Sequence, residues 1–309
     1  MAGKKKTFTL HGNCQAEALA GVLLSNPEFF ARFEYVHVPA VFAIKTEEID
    51  TFYKDTVPRL DLLLYMPIAA TYRGKRLSSA HVLRRLPPSA EVLSFTNCYL
   101  RAYHPELVHL DRVPSRSFMG FSDLNILAAF LSGERDPGRV ADAIDRDDLL
   151  DPGFLVGLAE SSLAQLSQRE RHGDERGPIS LTCADYVAEN YRDRQLFHTV
   201  NHPAREVLCH LADQAYRLLG IPGTADRSWP EPLALQRFPL HRGVRRALGL
   251  RFEGPADYHL GDRRWSPPEA VAAFLDYYAS LPRDVLIRGY EAERWPLTFA
   301  QPDAVGACA

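Results

Sequence analysis

Residues 7–15 read TFTLHGNCQ, and this stretch decides the fold of the first part of the chain. Its first four residues are β-prone, whereas the residues from Ala16 to Leu24 repeat apolar side chains at helical spacing. A strand that stops at Gly12 and continues as a helix makes a sharp turn and presents one side chain at its apex. The stretch therefore predicts a strand–turn–helix unit with Cys14 at the turn.

The residue types at this turn suit a reactive cysteine. Gly12 can adopt backbone angles that other residues avoid, and Asn13 is a frequent helix N-cap. Cys14 then lies in the first helical turn, where unpaired N–H groups and the positive end of the helix dipole stabilise a thiolate. The arrangement resembles the strand–nucleophile–helix elbow of hydrolases, with sulfur in place of a serine oxygen. The alternative is an inert, half-buried cysteine beneath a tight turn, since most buried thiols are unreactive.

The bulk composition restricts the class of protein. The 309 residues are enough for one large domain or two coupled ones, and the net charge of −3 provides no basic field for nucleic acid. The five cysteines are scattered without a CxxC pair, which indicates neither a disulfide framework nor a cysteine-rich zinc site. No apolar run has the length of a transmembrane helix or of a signal-peptide core. We therefore expect a cytoplasmic, reduced protein with no nucleic-acid partner and no transmembrane segment.

The first part of the chain alternates between strand and helix patterns. The β-prone runs that follow the first one lie at residues 33–38, 61–66 and 91–96. The helical patterns between them lie at residues 46–53, with Thr46 as the N-cap, and 78–86. Such alternation predicts a small parallel, Rossmann-like sheet up to about residue 110.

The same sheet predicts where a ligand binds. In a parallel sheet of this kind the site lies beyond the carboxyl ends of the strands. Residues of unusual chemistry follow three of the predicted strands, at 11–15, 67–76 and 97–99. We therefore expect these three loops to face one crevice.

From Ser122 onward the patterns are mainly helical. They lie at residues 122–131, 140–144, 154–171, 183–191, 203–219 and 267–280, whereas residues 225–230 fit neither period and predict an irregular loop. The predicted class is α/β and mainly helical. A small parallel Rossmann-like subdomain, residues 1–115, should pack against a larger helical region, residues 116–309, which completes the site within one compact unit.

Two histidines are candidates for a catalytic base. His198 and His202 lie in the stretch 197–203, FHTVNHP, and Pro203 suits the first turn of a following helix. A histidine hydrogen-bonded to a cysteine or to a substrate hydroxyl is the usual base in acyl transfer. We place His198 first and His202 second, while either could instead cap a helix or pack in the core. Asn97 closes the fourth strand, where its amide could donate to an oxyanion or could merely terminate the strand.

Cationic residues follow the third strand. Arg73, Lys75 and Arg76 precede a helix that begins near Ser78, an arrangement that suits phosphate groups, although a solvated basic loop is the alternative. A second polar cluster, Arg101, Tyr103 and His104, follows the fourth strand. We expect no metal site, because no carboxylate or cysteine joins a histidine pair at ligand spacing.

Four elements of the chain together resemble a known family. They are residues 11–15 (HGNCQ), 66–68 with 72–73 (MPI and YR), 97–99 with 103–105 (NCY and YHP), and 197–203 (FHTVNHP). In this order they are similar to the WcbI-type family of polysaccharide-biosynthesis acetyltransferases. The resemblance implies a mainly helical fold with a small α/β subdomain, binding of coenzyme A or acetyl-CoA, and O-acetylation of a capsular sugar. Its partners would be a sugar or polysaccharide acceptor and other capsule-biosynthesis proteins.

The resemblance implies a catalytic or cofactor-binding role for each candidate residue. The catalytic candidates are Cys14, Asn97, His198 and His202. The residues expected to contact the cofactor are Gly12, Asn13, Gln15, Tyr72, Arg73, Lys75, Arg76, Arg101, Tyr103 and His104. Cys14 could accept the acetyl group, or a histidine could activate the sugar hydroxyl for direct attack while Cys14 only shapes the site.

A more distant similarity leaves two other functions open. Cys14 and Asn97 match the nucleophile and the asparagine of the SGNH hydrolases, but the nucleophile is cysteine and no Asp-x-x-His element lies near the C-terminus. The chain could therefore be an SGNH-like carbohydrate esterase. It could also be a non-catalytic subunit that binds coenzyme A or a glycan in a capsule assembly complex.

Overall fold

A computed structural model describes residues 4–72, 76–110 and 120–297 of the chain. The helices are α1 (Cys14–Leu24), α2 (Pro27–Arg32), α3 (Glu48–Thr51), α4 (Ser79–Leu83), α5 (Leu124–Leu131), α6 (Pro137–Ile144), α7 (Pro152–His172), α8 (Ala184–Asn190), α9 (Arg205–Leu218), α10 (Arg242–Leu248), α11 (Pro267–Ala279) and α12 (Arg283–Glu293). The strands are β1 (Lys6–His11), β2 (Phe33–Tyr35), β3 (Leu62–Tyr65), β4 (Glu91–Ser94), β5 (Leu107–Val108), β6 (Ser122–Asp123), β7 (Phe197–Thr199), β8 (His202–Pro203), β9 (Gln236–Arg237), β10 (Tyr258–Leu260) and β11 (Arg263–Trp265). The predicted class, α/β and mainly helical, is confirmed.

The chain divides into two compact units, each assembled from separate segments. Unit 1 contains the residues up to Tyr99 together with Leu163–Tyr191 and Asn201–Ala234. Unit 2 contains Leu100–Ser162, Arg192–Val200 and the residues from Leu235 onward. The predicted division at residue 115 stays a prediction.

The sheet of unit 1 has the predicted parallel form. Its strand order is β2-β1-β3-β4, and β1 pairs in parallel with β2 and with β3, which pairs in parallel with β4. The register places His11 beside Tyr65, which in turn lies beside Ser94. Strand β1 is longer than its β-prone run at residues 7–10, whereas β2, β3 and β4 are shorter than theirs, and β2 ends three residues before the predicted boundary at residue 38.

Apolar packing covers both faces of this sheet. Leu62–Tyr65 are all buried, as a continuous apolar strand predicts. On one face Leu63 and Tyr65 join a core cluster that includes Leu77. On the other face the Phe8 ring lies 5.0 Å from Phe29, edge to face, a geometry that aromatic pairs prefer. The two faces together fix β1 and β3 in the middle of the unit.

Two helices of unit 1 support the turn that follows β1. Helices α1 and α9 pack against each other, and the Tyr216 hydroxyl donates to the Leu23 carbonyl at 2.9 Å. The predicted irregular loop at residues 225–230 contains neither helix nor strand. Its Trp229 ring lies against Gly21 of α1, where an added Cβ would stand 3.4 Å from the indole nitrogen. The helix that carries Cys14 is therefore held along its length.

Some local predictions were wrong at the ends of helices. The predicted helix over residues 46–53 begins at Glu48, so Thr46 is not its N-cap, and it continues as one π-helical turn over Phe52–Thr56. Helices α2, α10 and α12 were not predicted. The sequence did contain a signal for α2, an asparagine followed by a proline. In the structure Asn26 accepts hydrogen bonds from two N–H groups and Pro27 occupies the first helical position.

Unit 2 contains mainly helices and two small antiparallel sheets. Strands β5 and β6 pair antiparallel, and β10 pairs antiparallel with both β9 and β11. These strands have only two or three residues each, too few for an alternating pattern to predict. Asp123 at the end of β6 caps α5 by accepting from the N–H groups of Asn125 and Ile126. Burial, followed by the charge of Glu106, raises the pKa of Asp123 to about 7.

In the described part of the chain, no helix combines the length and the apolar character that a membrane-spanning helix needs.

We predict that His11 makes the stability of the fold dependent on pH. Burial lowers its pKa to about 4, a lowering that its hydrogen bond to the Leu77 carbonyl only partly offsets. The folded state therefore binds the proton less tightly than the unfolded state. Stability should be lost as the pH falls from about 6.5 to about 4, by at most ~3 kcal/mol. Denaturant unfolding across this range measures the slope.

The matched variants are His11→Phe and His172→Gln. The first should be less stable at neutral pH, since the Leu77 carbonyl loses its donor, but its slope should be shallower than that of the wild type. The second changes an exposed imidazole at the end of α7 and should keep the wild-type slope. An unchanged slope in His11→Phe would contradict the assignment.

Candidate active site

The carboxyl ends of β1, β3 and β4 lie side by side at one edge of the sheet. The strand order places the topological switch point between β1 and β3, the position at which open α/β sheets bind ligands. The loop after β3 is fixed to this point, because the Met66 N–H donates to the His11 carbonyl at 2.9 Å. Ser79 of α4 fixes it from the other side by donating to the Met66 carbonyl and accepting from Ile68 N–H. The start of the predicted loop at 67–76 thus meets the predicted loop at 11–15.

Gly12 is needed at the turn for a reason other than the predicted one. Its φ lies outside the left-handed region, so the turn does not depend on glycine's backbone freedom. An added Cβ would instead stand 3.2 Å from the Cβ atoms of Ala16 and Met66 and from the Phe95 ring. Contacts this short require the neighbouring groups to shift by a few tenths of an ångström. Gly12 therefore allows close packing among the ends of β1, β3 and β4.

The N-cap prediction for Asn13 is confirmed. Its side-chain oxygen accepts from the Gln15 N–H at 2.9 Å, and Cys14 is the first residue of α1. Cys14 is half-buried, and it begins α1 at the edge of the sheet.

The electrostatics of Cys14 differ from those expected. Burial raises the pKa of the Cys14 thiol, and Glu17 adds to the rise. The N–H groups of Cys14 and Gln15 lower the pKa, which is the helix effect predicted from sequence, but burial is the larger influence. The thiol is therefore protonated near neutral pH, and a base is needed before it can react as a thiolate.

Gln15 is completely engaged in internal hydrogen bonds. Its side-chain nitrogen donates to the carbonyls of Cys98, at 2.8 Å, and Asn201, at 2.9 Å. Its side-chain oxygen accepts from the Cys98 N–H at 2.9 Å. Since Gln15 is buried, these bonds tie α1 to the segment after β4 and to the segment before β8. The observed contacts of Gln15 position the surrounding backbone, and its contact with a cofactor stays a prediction.

This network also includes Asn97 and the backbone segment of His202, two other predicted site residues. The side-chain oxygen of Asn97 lies 3.4 Å from the side-chain nitrogens of both Asn13 and Gln15. His202, half-buried at the start of β8, directly follows the residue whose carbonyl accepts from Gln15. Unit 1 therefore gathers Asn13, Asn97 and the segment of His202 around the first turn of α1.

Glu170 and a buried thiol pair support the end of β4. The Glu170 carboxylate accepts from the Thr96 hydroxyl and from the Cys183 N–H, each at 2.7 Å. The sulfur atoms of Cys98 and Cys183 lie 3.6 Å apart, and both residues are buried. These contacts fix the backbone on either side of Asn97.

The basic loop after β3 is only partly described. Arg73 and Lys75 lie outside the described residues. Arg76 pairs with Asp50 at 2.5 Å, so its guanidinium already has an anionic partner. Tyr72 is half-buried and packs against the core cluster below the sheet.

A cleft of about 600 Å³ opens beside this loop, within unit 1. Residues 67–70, α4 and residues 173–176 line it, and its cationic side chains are Arg84 and Arg176. Sequence reasoning missed both arginines. The Arg84-Arg85 pair at the end of the helical pattern at 78–86 was a usable signal for the first, whereas only the fold brings residues 173–176 to this place.

The remaining candidates lie in unit 2, where their observed contacts are internal. Arg101 donates to the Pro105 carbonyl at 2.9 Å and pairs with Glu293 at 3.3 Å. Tyr103 is buried and donates to the Arg194 carbonyl, while His104 is buried beside a carboxylate. His198 is buried on β7. Cofactor binding by the first three and catalysis by His198 stay predictions.

Comparison with known proteins decides the family. A sequence model described as the polysaccharide biosynthesis enzyme WcbI matches residues 7–224. The chain belongs to the WcbI family. The predicted resemblance is thereby confirmed, and this WcbI-family chain is a member of a family of polysaccharide biosynthesis enzymes.

A solved structure has the same fold as this WcbI-family chain. Its TM-score is 0.81, with 23% sequence identity, and the match covers 94% of this chain and 95% of that chain. It is described as WcbI, a polysaccharide biosynthesis enzyme, in its native form without a disulfide bond between coenzyme A and Cys14 of that protein. No curated protein matches the chain.

We predict that Gln15→Glu destabilises unit 1 strongly. At neutral pH the carboxylate cannot donate, so the carbonyls of Cys98 and Asn201 lose their donor and face a negative charge. The free energy of unfolding should fall by about 2–5 kcal/mol, as expected for two buried acceptors left unpaired. Denaturant unfolding measures it. Gln168→Glu, at an exposed position of α7, is the matched control and should change stability little.

We also predict a high pH midpoint for alkylation of Cys14. The rate with iodoacetamide should follow the thiolate and rise only above the pH at which an ordinary thiol ionises, because burial raises the pKa. Glu17→Gln should lower this midpoint, since it removes a nearby negative charge. Subtracting the Cys14→Ser rate isolates the residue. A midpoint below that of a small free thiol would contradict the pKa direction.

Proposed function

We propose that the chain is an acetyl-CoA-dependent O-acetyltransferase that acts on a sugar of a capsular polysaccharide or of its precursor. The observation that carries the proposal is the position of Cys14, a free thiol at the first turn of a helix beside the switch point of a parallel sheet. A relative of the same fold is described by reference to a disulfide between coenzyme A and a cysteine. The acetyl group of acetyl-CoA is carried by the same sulfur that would form this disulfide. A cysteine that can reach that sulfur can therefore also reach the thioester.

The cleft of unit 1 suits the anionic part of coenzyme A. Arg84 and Arg176 line it, and the basic loop that contains Arg73, Lys75 and Arg76 lies in sequence between two of its walls. Guanidinium groups bind phosphate in a bidentate manner, and they keep their charge at any physiological pH. We place the phosphates of coenzyme A at this cleft and its thiol end near Cys14.

Transfer through Cys14 would exchange one thioester for another. The thiol sulfur attacks the acetyl carbonyl carbon, the bond from that carbon to the coenzyme A sulfur breaks, and the thiol proton passes through a base to the leaving thiolate. A sugar hydroxyl oxygen then attacks the acetylated Cys14. The hydroxyl proton returns through the base to the Cys14 sulfur, which leaves an O-acetyl sugar and free coenzyme A.

The raised pKa of Cys14 gives the base a necessary role in this route. His202 is the better placed candidate, because Gln15 binds the carbonyl of the preceding residue and so holds its segment beside the first turn of α1. His198 is the second candidate. This order reverses the preference drawn from sequence, where the two histidines could be ranked only by their neighbours.

Asn97 would stabilise the oxyanion that forms on the acetyl carbonyl. Its side-chain oxygen faces the side-chain amides of Asn13 and Gln15. The side-chain nitrogen therefore occupies the other branch of the carboxamide, where it can act as a donor. A donor fixed before the reaction stabilises developing charge without reorganisation. Direct attack of the sugar hydroxyl on acetyl-CoA, with the same histidine as base, is the other route.

The first experiment measures binding of coenzyme A. A ligand that binds only the folded state raises its thermal stability. We expect coenzyme A to raise the melting temperature of the wild type. Arg84→Ala with Arg176→Ala, and separately Arg73→Ala with Arg76→Ala, should weaken binding by about tenfold or more, since each removes charge-assisted contacts. Lys54→Ala is the control, an exposed cation outside the cleft that should bind normally. No shift at millimolar coenzyme A would contradict the proposal.

The second experiment separates the routes and the rival functions. With acetyl-CoA and capsular oligosaccharides, loss of turnover in Cys14→Ala with retained coenzyme A binding would support the acetyl-cysteine route, whereas near-wild-type turnover would exclude it. His202→Gln should lower kcat more than His198→Gln. Hydrolysis of acetylated sugar without coenzyme A would instead indicate an esterase. Binding without turnover, even with partner enzymes present, would indicate a non-catalytic subunit.

A further inference from the structure

Unit 2 contains a cluster of buried titratable side chains that the proposed acetyl transfer does not use. Glu106, Asp123 and His241 each place one potential ligand atom within 4.8 Å of the others, and all three are buried. A nitrogen of His104, which is also buried, lies 3.5 Å from a carboxylate oxygen of Glu106. A nitrogen of His241 lies 4.0 Å from the same oxygen. Two carboxylates and two imidazoles therefore share a small volume inside the unit.

The polar atoms of this cluster lack enough internal partners. One Asp123 oxygen caps α5, but the other, Oδ2, is buried with no hydrogen bond to any described residue. The same is true of Oε2 of Glu106 and of both ring nitrogens of His104. Buried carboxylate oxygens are normally paired, because transferring a charge out of water is unfavourable unless another charge or a donor compensates it. Two carboxylates with an unpaired oxygen each, in reach of the same imidazole, indicate a missing cationic partner.

We propose that Glu106, Asp123 and His241 bind a divalent transition-metal cation, with Zn²⁺ as the best fit. Two carboxylates neutralise the charge of the cation, so that the occupied cluster carries no net buried charge when the imidazole is neutral. Carboxylate and imidazole donors together suit zinc, whereas magnesium prefers oxygen donors alone. Metal bonds to such ligands are about 2.0–2.2 Å, so the three side chains must close by roughly 1 Å around the ion.

The local structure fixes the ligands and provides access. Glu106 directly precedes β5 and Asp123 ends β6, where the register pairs Asp123 with Leu107 and the Leu124 N–H donates to the Glu106 carbonyl at 3.0 Å, so the antiparallel pair joins the backbone segments that bear the two carboxylates. His241 is the N-cap residue of α10 and also lines a cleft of about 550 Å³ within unit 2. Its ring therefore stands between this cleft and the buried carboxylates, which gives a cation a path. His104 would orient the Glu106 carboxylate, as outer residues do around many metal ligands.

Sequence spacing could not predict this site. The three ligands come from distant parts of the chain, and none forms a histidine pair or a local motif with another. The prediction of no metal site rested on such local spacing. Only the β5–β6 pair and the start of α10 bring the ligands together.

The experiment uses the full-length chain, treated with chelator and then equilibrated with Zn²⁺, Co²⁺ or Mg²⁺ alone. After removal of excess metal, the wild type should retain about one equivalent of zinc. It should also melt at a higher temperature with zinc and show no comparable shift with magnesium. Cobalt should produce visible d–d bands without the thiolate charge-transfer band that binding to a cysteine would give. These readouts do not depend on coenzyme A or on turnover, so they stand apart from the tests of the acetyltransferase.

Matched variants make the outcome decisive. Asp123→Asn keeps an oxygen to cap α5 and His241→Gln keeps a polar side chain, yet both should abolish stoichiometric zinc and the cobalt bands. His104→Gln should weaken zinc binding by roughly 10–100-fold. Asp142→Asn changes an exposed carboxylate of the same cleft and should bind zinc as the wild type does. Chelator-treated Asp123→Asn should melt no lower than the chelator-treated wild type, which would show that the variant folds.

Two outcomes would overturn the proposal. One is a wild type that retains no zinc and shows no thermal shift, in which case the carboxylates share a proton instead. The other is undiminished zinc binding in both Asp123→Asn and His241→Gln, which would place the metal elsewhere.

Discussion

The amide of Gln15 is the interaction on which the geometry around Cys14 depends. A single buried side chain binds the backbone of Cys98 through both its donor and its acceptor, and it also binds the Asn201 carbonyl. A primary amide suits this position because it offers two donors and an acceptor without a net charge that burial would penalise. The bonds join three segments of unit 1 at the residue next to the Cys14 thiol. The proposed roles of Asn97 and His202 both depend on the segments that Gln15 holds.

The parallel sheet and the N-cap at Asn13 could be predicted because their signals are local. Alternating strand and helix patterns predict parallel strands, and an asparagine before a helical run predicts a cap. The strands of unit 2 could not be predicted, since two or three residues are too short for a pattern. The requirement for Gly12 was predicted, but for its backbone angles. The actual reason is the approach of Met66 and Phe95, which are distant in sequence.

The candidate site shows a similar division between local and non-local causes. The helix effect on Cys14 follows from its position in α1 and does lower the pKa, as expected from sequence. The larger and opposite effect is burial, which depends on segments that pack around the turn. Arg101 and Tyr103 are polar residues near a strand end, so a sequence pattern favours a binding role, which stays a prediction. The hydrogen bonds of their side chains to internal carbonyl groups could not be predicted, because they depend on the fold.

The segmented composition of unit 1 also has a consequence for the order of folding. The partners of Gln15 lie 83 and 186 residues further along the chain, so the ribosome must release about two thirds of the polypeptide before the last of them can bind. Contacts between distant residues slow folding, because a long loop must close before any contact stabilises it. During synthesis the buried amide of Gln15 therefore lacks its last partner long after all four strands of the parallel sheet have been released. The turn that bears the thiol is thus among the first parts translated and among the last to mature.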